Sequence, residues 1–319
     1  MKKIFLIAIG MFFLVGFTDA IGQAPKVPKG AVNGLFTINK NGDQVYFSKG
    51  NLQYIGSAKT PYWKFADHQW EIINTESGCE NSPKIDRDLF AWGASGQPHV
   101  EENYQPWSGS TIDAYLCEYG IDAYGDDYYD LFDKDGSADW GYNPISNGGN
   151  VKKQWRTLHA SEMEYLLLYR KTPSEIRFAK AQVNGVNGLV LVPDDWRRIT
   201  NTLEKPNDSW AAFSTNIISA EEWSDLEKKG AVFLPAAGEA HCGALCLNPK
   251  PEQIKLFITG RGTEGEYWTS KRCHDRSNLS RAYSFSITQK NVVNYVYKER
   301  YMRLAVRLVQ DAHKQQNHH

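Results

Sequence analysis

The sequence predicts an α+β domain, built from short strands and two short amphipathic helices that do not alternate regularly. Apolar and polar residues alternate over short runs, an Asn-Gly pair stands between two such runs, and only two stretches carry a helical apolar period.

Taken in order, the chain opens with Lys2 and Lys3, an apolar run from Ile4 to Phe17, and small residues suited to signal-peptidase cleavage. Residues 1–20 are expected to be a signal peptide, with cleavage as late as residue 24. The apolar run falls short of the roughly 20 residues a membrane-spanning helix needs. No membrane span is therefore expected after cleavage, and the mature chain is expected to be secreted, periplasmic or at the cell surface.

Residues 31–310 are expected to form one domain, because no linker rich in Pro, Gly or Ser divides them, and residues 311–319 form a polar tail. Gly34–Ile38, the Asn41-Gly42-Asp43 turn and Gln44–Ser48 read as a hairpin. Asn51–Ile55 and Trp63–Ile73 read as further strands. Residues 80–150 show no sustained period and are dense in Gly, Asp, Tyr and Trp, which indicates long ordered loops.

The first helix is expected over His159–Arg170, with Met163, Tyr165, Leu166 and Leu167 on its apolar flank. The second starts at Ser219, whose hydroxyl caps it while Glu222 reaches back; it carries Trp223 and Leu226 inward and stops at Gly230. Strands resume at Gly188–Pro193, Ala231–Pro235, Lys255–Thr259, Arg281–Thr288 and Arg303–Val309. In Arg281–Thr288, Tyr283, Phe285 and Ile287 share one face and Ala282, Ser284, Ser286 and Thr288 the other.

The net charge of −1 offers no basic stripe, so nucleic acid is not an expected partner. Five cysteines, an odd number, leave at least one unpaired within the chain and are no disulfide scaffold.

The run Trp155–Tyr165, the Gly230–Gly238 strand, Gly265-Glu-Tyr-Trp-Thr-Ser270 and Leu304-Ala-Val-Arg-Leu-Val309 resemble the C-type-lectin-like superfamily. Within it they are most similar to the major paralogous domain family first named from Fibrobacter succinogenes, and more distantly to formylglycine-generating enzymes. The resemblance implies a small twisted antiparallel sheet flanked by two short helices, with long inserted loops gathered on one side. In those relatives a Ser or Thr caps the first helix, and here His159 stands in that place.

The terminal segment also resembles the variable region of proteins diversified by retroelements. The frame would be Tyr267, Trp268, Ser270, Ala282, Tyr283, Phe285 and Ala305–Val309. Exposed ligand-binding positions would be Lys271, Arg272, His274, Asn278, Asn294, Tyr295, Tyr297 and Tyr301, and Asp275, Arg276, Asn291, Arg300 and Arg303 would be exposed with them. Long and aromatic side chains among small polar ones suit contact with an extracellular protein or glycan. The competing view is that Tyr295 and Tyr297, two apart on a strand, pack one face of the sheet.

The expected function is an exported ligand-binding module and not an enzyme. The alternatives are a metal-dependent enzyme of the formylglycine-generating type, for which Cys242 and Cys246 are the nearest match to the cysteine pair, and a structural surface or fimbria-associated protein.

Other chemistry candidates carry less. Gly260-Arg-Gly262-Thr-Glu-Gly265 fits the dinucleotide fingerprint, but Glu266–Ser270 has strand or loop propensity where a helix is needed. Asp133, Asp135 and Asp139 are the candidate ligands of a calcium ion, although the run lacks the third acidic position and the terminal Glu of an EF-hand loop. A solvated turn-rich loop is the alternative. No cofactor is otherwise expected. The sugar-reading Glu-Pro-Asn and Gln-Pro-Asp motifs are absent, and Trp223-Ser-Asp225 lies inside the second helix.

Overall fold

The computed structural model describes residues 27–73, 83–96, 105–106, 130–132, 135–197, 203–242, 256–273 and 281–312. The expected signal peptide and most of the polar tail lie outside them. Among the described residues no helix is long and apolar enough to cross a membrane.

The architecture is α+β and strand-rich. β1 (Phe36–Thr37) and β2 (Gln44–Phe47) form the expected hairpin, with Gly42 at φ +85° where the turn needs a left-handed residue. β3 (Leu52–Ile55) pairs with β4 (Tyr62–Phe65), and β5 (Leu89–Ala91) emerges from the segment expected to be loop. β6 (Arg156–Thr157) leads into helix α1 (Ala160–Glu164), which continues as a π-helical turn over Tyr165–Tyr169.

β7 (Phe178–Val183) and β8 (Val186–Leu191) join through Asn184-Gly185, both at positive φ, the backbone a two-residue hairpin turn requires. β9 (Ile217–Ile218), helix α2 (Ala220–Lys228) and β10 (Val232–Pro235) follow. The C-terminal part holds β11 (Glu239–Cys242), β12 (Leu256–Thr259), β13 (Glu264–Arg272), β14 (Arg281–Thr288), β15 (Val292–Glu299), β16 (Arg303–Ala305) and β17 (Leu308–Asp311).

In place of one small sheet, the described residues form four. β1-β2-β17-β6 form one, β10-β8-β7-β9 a second, β3-β4 a third, and β12-β11-β16-β13-β14-β15 the largest, with β5 added alongside β16. Pairing is mostly antiparallel, but β13 with β16 and β7 with β9 run parallel. The expected single strand over Arg303–Val309 is divided between two sheets, with the break at Val306-Arg307.

Among the described residues three apolar clusters fill the interior. α1 and its π turn cover one, inserting Met163, Leu166 and Leu167 against Tyr267, Phe285 and Ile287 of the large sheet. A second is aromatic and gathers Trp63, Phe65, Trp92, Trp140, Trp155 and Trp268. Three of its indoles find acceptors: Trp92 donates to Thr269 O, Trp155 to Gly148 O and Trp268 to Phe90 O, whereas Trp140 Nε1 is buried without one among the described residues. Of the expected long loops, the described Phe90, Trp92 and Trp140 are thus core. The third cluster lies under α2, where Trp223 packs on Phe233 with ring centroids 5.6 Å apart.

At the break after β16 the buried Arg307 guanidinium joins several sheets. It donates to Asn51 Oδ1 at 3.3 Å, to Phe233 O at 3.2 Å and to Gln69 Oε1. Burial pushes its pKa down to about 10. Asn51 also donates to the Tyr267 hydroxyl, which donates to Pro235 O. These bonds satisfy polar groups that would be costly to bury alone.

Candidate binding surface

The sheet positions the site through its alternation. On β13 and β14 the odd-numbered residues Tyr267, Phe285 and Ile287 face the cluster beneath α1. On β14 the same face continues to Tyr283, and Lys271 of β13 reaches that ring across a register shift between Trp268 and Arg272. Tyr283 stands directly across from Tyr297 of β15, with ring centroids 4.8 Å apart and 3.3 Å between hydroxyls. The Tyr295 ring meets Tyr283 edge-on at 5.2 Å and 89°. Lys271 Nζ lies 5.7 Å from the centre of the Tyr283 ring, a cation–π contact.

The competing view of Tyr295 and Tyr297 as two residues of one face is half right. A register shift between Ser284 and Ser286 inserts a bulge in β15, and Tyr295 sits there at φ +62°. A bulge re-aims side chains, and here both tyrosines converge on Tyr283. A left-handed tyrosine costs roughly 1–3 kcal/mol, a strain that clusters at ligand-contacting sites. Tyr297 remains 48% exposed.

Residues that the sequence did not mark as contacts complete the rim. Tyr165 and Tyr169 of the π turn lie 6.2 Å apart, with Tyr169 and Leu168 exposed. Single π turns inside helices recur at functional sites. Burial, then the nearby Glu164 carboxylate and Tyr169, raises the pKa of Tyr295. Burial, then the bond to Tyr297, raises that of Tyr283. The phenols of Tyr283 and Tyr295 therefore stay neutral hydrogen-bonding groups at physiological pH.

Beside the rim, exposed Phe132 lies 6.0 Å from the His159 ring. His159 caps α1 after all: its Nδ1 accepts from Ser161 N, while Glu162 accepts from the His159 amide at 2.7 Å.

Several expected contacts are placed differently. Arg272 is fully buried, its amide donating to Asp130 Oδ1 at 2.8 Å, and Arg300 and Arg303 are buried too. Arg272 pairs with Ala282 and so faces the aromatic cluster, away from the tyrosines. Arg300 lies over the Trp92 ring. Asn294 and Tyr301 are half-buried. Asn291 is engaged in the β14–β15 turn, where its carbonyl oxygens accept from Thr288 Oγ1. His274, Asp275, Arg276 and Asn278 lie outside the described residues.

The acidic run is used for folding where it is described. Asp139 is buried, accepts from Gly141 N, Thr157 N and Thr157 Oγ1, and caps the 3-10 turn Trp140–Tyr142. Burial raises its pKa. Asp135 accepts from Ser137 N, and Asp133 lies outside the described residues. Asp139 is thus no free calcium ligand. Among the described residues no group of three His, Cys, Asp or Glu could hold a metal.

The glycine fingerprint is a turn. Gly260 and Gly262 take positive φ, and the chain passes into β13 with no helix to face a pyrophosphate. Cys242 ends β11, and Cys246, named with it as the nearest match to the enzyme's cysteine pair, lies outside the described residues. Cys273 is a buried free thiol whose amide donates to Arg281 O at 3.1 Å.

Fold and site together define a strand-rich α+β domain with a tyrosine rim at the open end of its largest sheet. Comparison with protein-family models, with curated proteins and with solved structures finds no match.

Proposed function

We propose that the chain is an exported ligand-binding module on a C-type-lectin-like scaffold, which takes an extracellular protein or glycan on the tyrosine rim. The observation that carries this reading is the convergence of Tyr295 and Tyr297 on Tyr283 through a strained bulge. Tyrosine offers a large amphipathic area with few torsions to freeze, so an exposed cluster of it favours contact. Lys271 adds a charged donor at the edge of the same cluster.

Two experiments test the two halves of the proposal. N-terminal sequencing of secreted material should begin at Ile21 or Pro25, and intact Met1 in a membrane fraction would refute export. A glycan array and a panel of purified extracellular proteins should yield a ligand whose affinity falls at least tenfold in Tyr297→Ala, the size expected of a central aromatic contact. A ligand bound equally well by Tyr283→Ala and Tyr297→Ala would place the binding face elsewhere.

A further inference from the structure

Side chains alternate along a strand, so Lys298 points away from the face that carries Tyr297. On that reverse face its Nζ lies 2.5 Å from Glu239 Oε2 and 3.5 Å from Glu266 Oε1. Glu266 is only 4% exposed, and it accepts from Ser286 Oγ at 2.7 Å and Ser284 Oγ at 3.5 Å. The charged groups acting on it are Lys298 from β15 and Glu239 from β11, while β14 supplies only hydroxyls. Arg303 on β16 pairs with Ala240 and so belongs to the opposite face.

Two carboxylates share one ammonium here, so full ionisation leaves a surplus negative charge among side chains largely withdrawn from water. We propose that Glu239, Glu266 and Lys298 form a pH-sensitive brace that holds β15 to the rest of the sheet. With Glu266 protonated, Lys298 and Glu239 make a one-to-one pair. Loss of that proton strands the surplus charge and loosens the strand carrying Tyr295 and Tyr297.

Burial pushes Glu266 up to about 7, against the opposing pull of Lys298 and Ser286. The sign follows from linkage. A carboxyl raised in the folded state contributes its full stability below its unfolded value near 4.5 and loses it progressively as pH climbs to about 7. Burial disfavours the Lys298 ammonium, but Glu266 and Glu239 more than restore it, so it stays charged throughout this window. An acidic surrounding therefore tightens the tyrosine rim, and a neutral one relaxes it. This last step rests on the rim being the binding face, whereas the brace is read without any ligand.

Hydrogen exchange of the full chain tests it, with amide protection in Val293–Lys298 corrected for intrinsic rates between pH 5.5 and 8. Protection should fall by roughly tenfold across that range, while the amides of α2 keep theirs. Glu266→Gln, neutral and of equal size, should give a flat profile. Glu239→Gln leaves Lys298 to Glu266 alone and should move the midpoint down toward ordinary carboxylate values.

A flat profile in the wild type, or an unchanged slope in Glu266→Gln, would overturn the brace. A carboxyl titration of Glu266 by NMR would do the same if its midpoint lay below 5.5, and it needs no variant to fold. A confirmed pH step together with a ligand that ignores the tyrosines would remove the binding role alone.

Discussion

Trp223 and Tyr297 are both large aromatics borne on elements that border a sheet, yet the first is wholly buried and the second is 48% exposed. The difference lies in what covers them. α2 is fixed by a reciprocal cap between Ser219 and Glu222 and lays Trp223 on Phe233, so a local signal delivers the side chain into a closed interior. β14 and β15 run on past the end of α1, and the aromatic face that is core under Met163 and Leu166 becomes a rim beyond it. One continuous face is thus packed at one end and open at the other, and the end of the covering helix marks the boundary.

Five substitutions at four positions test that boundary by chemical denaturation. Trp223→Ala should cost the most, about 3–5 kcal/mol, the range for losing a packed indole; a loss below about 1 kcal/mol would show that α2 does not seal its sheet. Arg272→Ala should cost about 2–4 kcal/mol, since it removes a fully buried long side chain and leaves a cavity beside the aromatic cluster. An unchanged midpoint for that variant would return Arg272 to the exposed set.

Tyr295→Val should cost about 2 kcal/mol although valine favours strands, because a branched side chain resists positive φ. Tyr295→Gly should stay within about 1 kcal/mol of wild type, with relieved strain offsetting the lost ring contact. If valine were tolerated better than glycine, the bulge would not be where it is drawn. Tyr297→Ala should change stability least, by less than about 1 kcal/mol. A larger loss would make the rim part of the core.

Legibility in the sequence followed the range of the interactions. The α+β class, the β1–β2 hairpin and α2 with its inward Trp223 rest on residues within a turn of one another, and all three are present. The β7–β8 turn at Asn184-Gly185 was equally readable, and attention to that second Asn-Gly pair would have started β8 earlier. His159 was read in the cap place as a departure that weakens the cap, because histidine rarely plays that part; Glu162 three residues on was the available clue to the full capping box.

β15 was legible only in part: Tyr295 and Tyr297 were read either as contacts or as two residues of one strand face, and the bulge that separates them breaks the period-two pattern. Arg272, Arg300 and Arg303 were placed outside because arginine usually is, and their burial depends on partners far along the chain. The Glu266–Lys298 cluster gave no signal, since its members are scattered over β11, β13 and β15. Tyr169 was read as part of a regular helix, and no rule of spacing foretold the π turn that brings it to the rim.

The thiol of Cys273 lies out of reach of solvent at the last bond of the β13–β14 ladder. An alkylating reagent can reach it only when that end of the ladder parts, so labelling followed by peptide mass analysis would time the fraying of the hairpin directly. In an oxidising compartment the same concealment sets how long the folded chain can keep this sulfur from forming a mixed disulfide with another molecule.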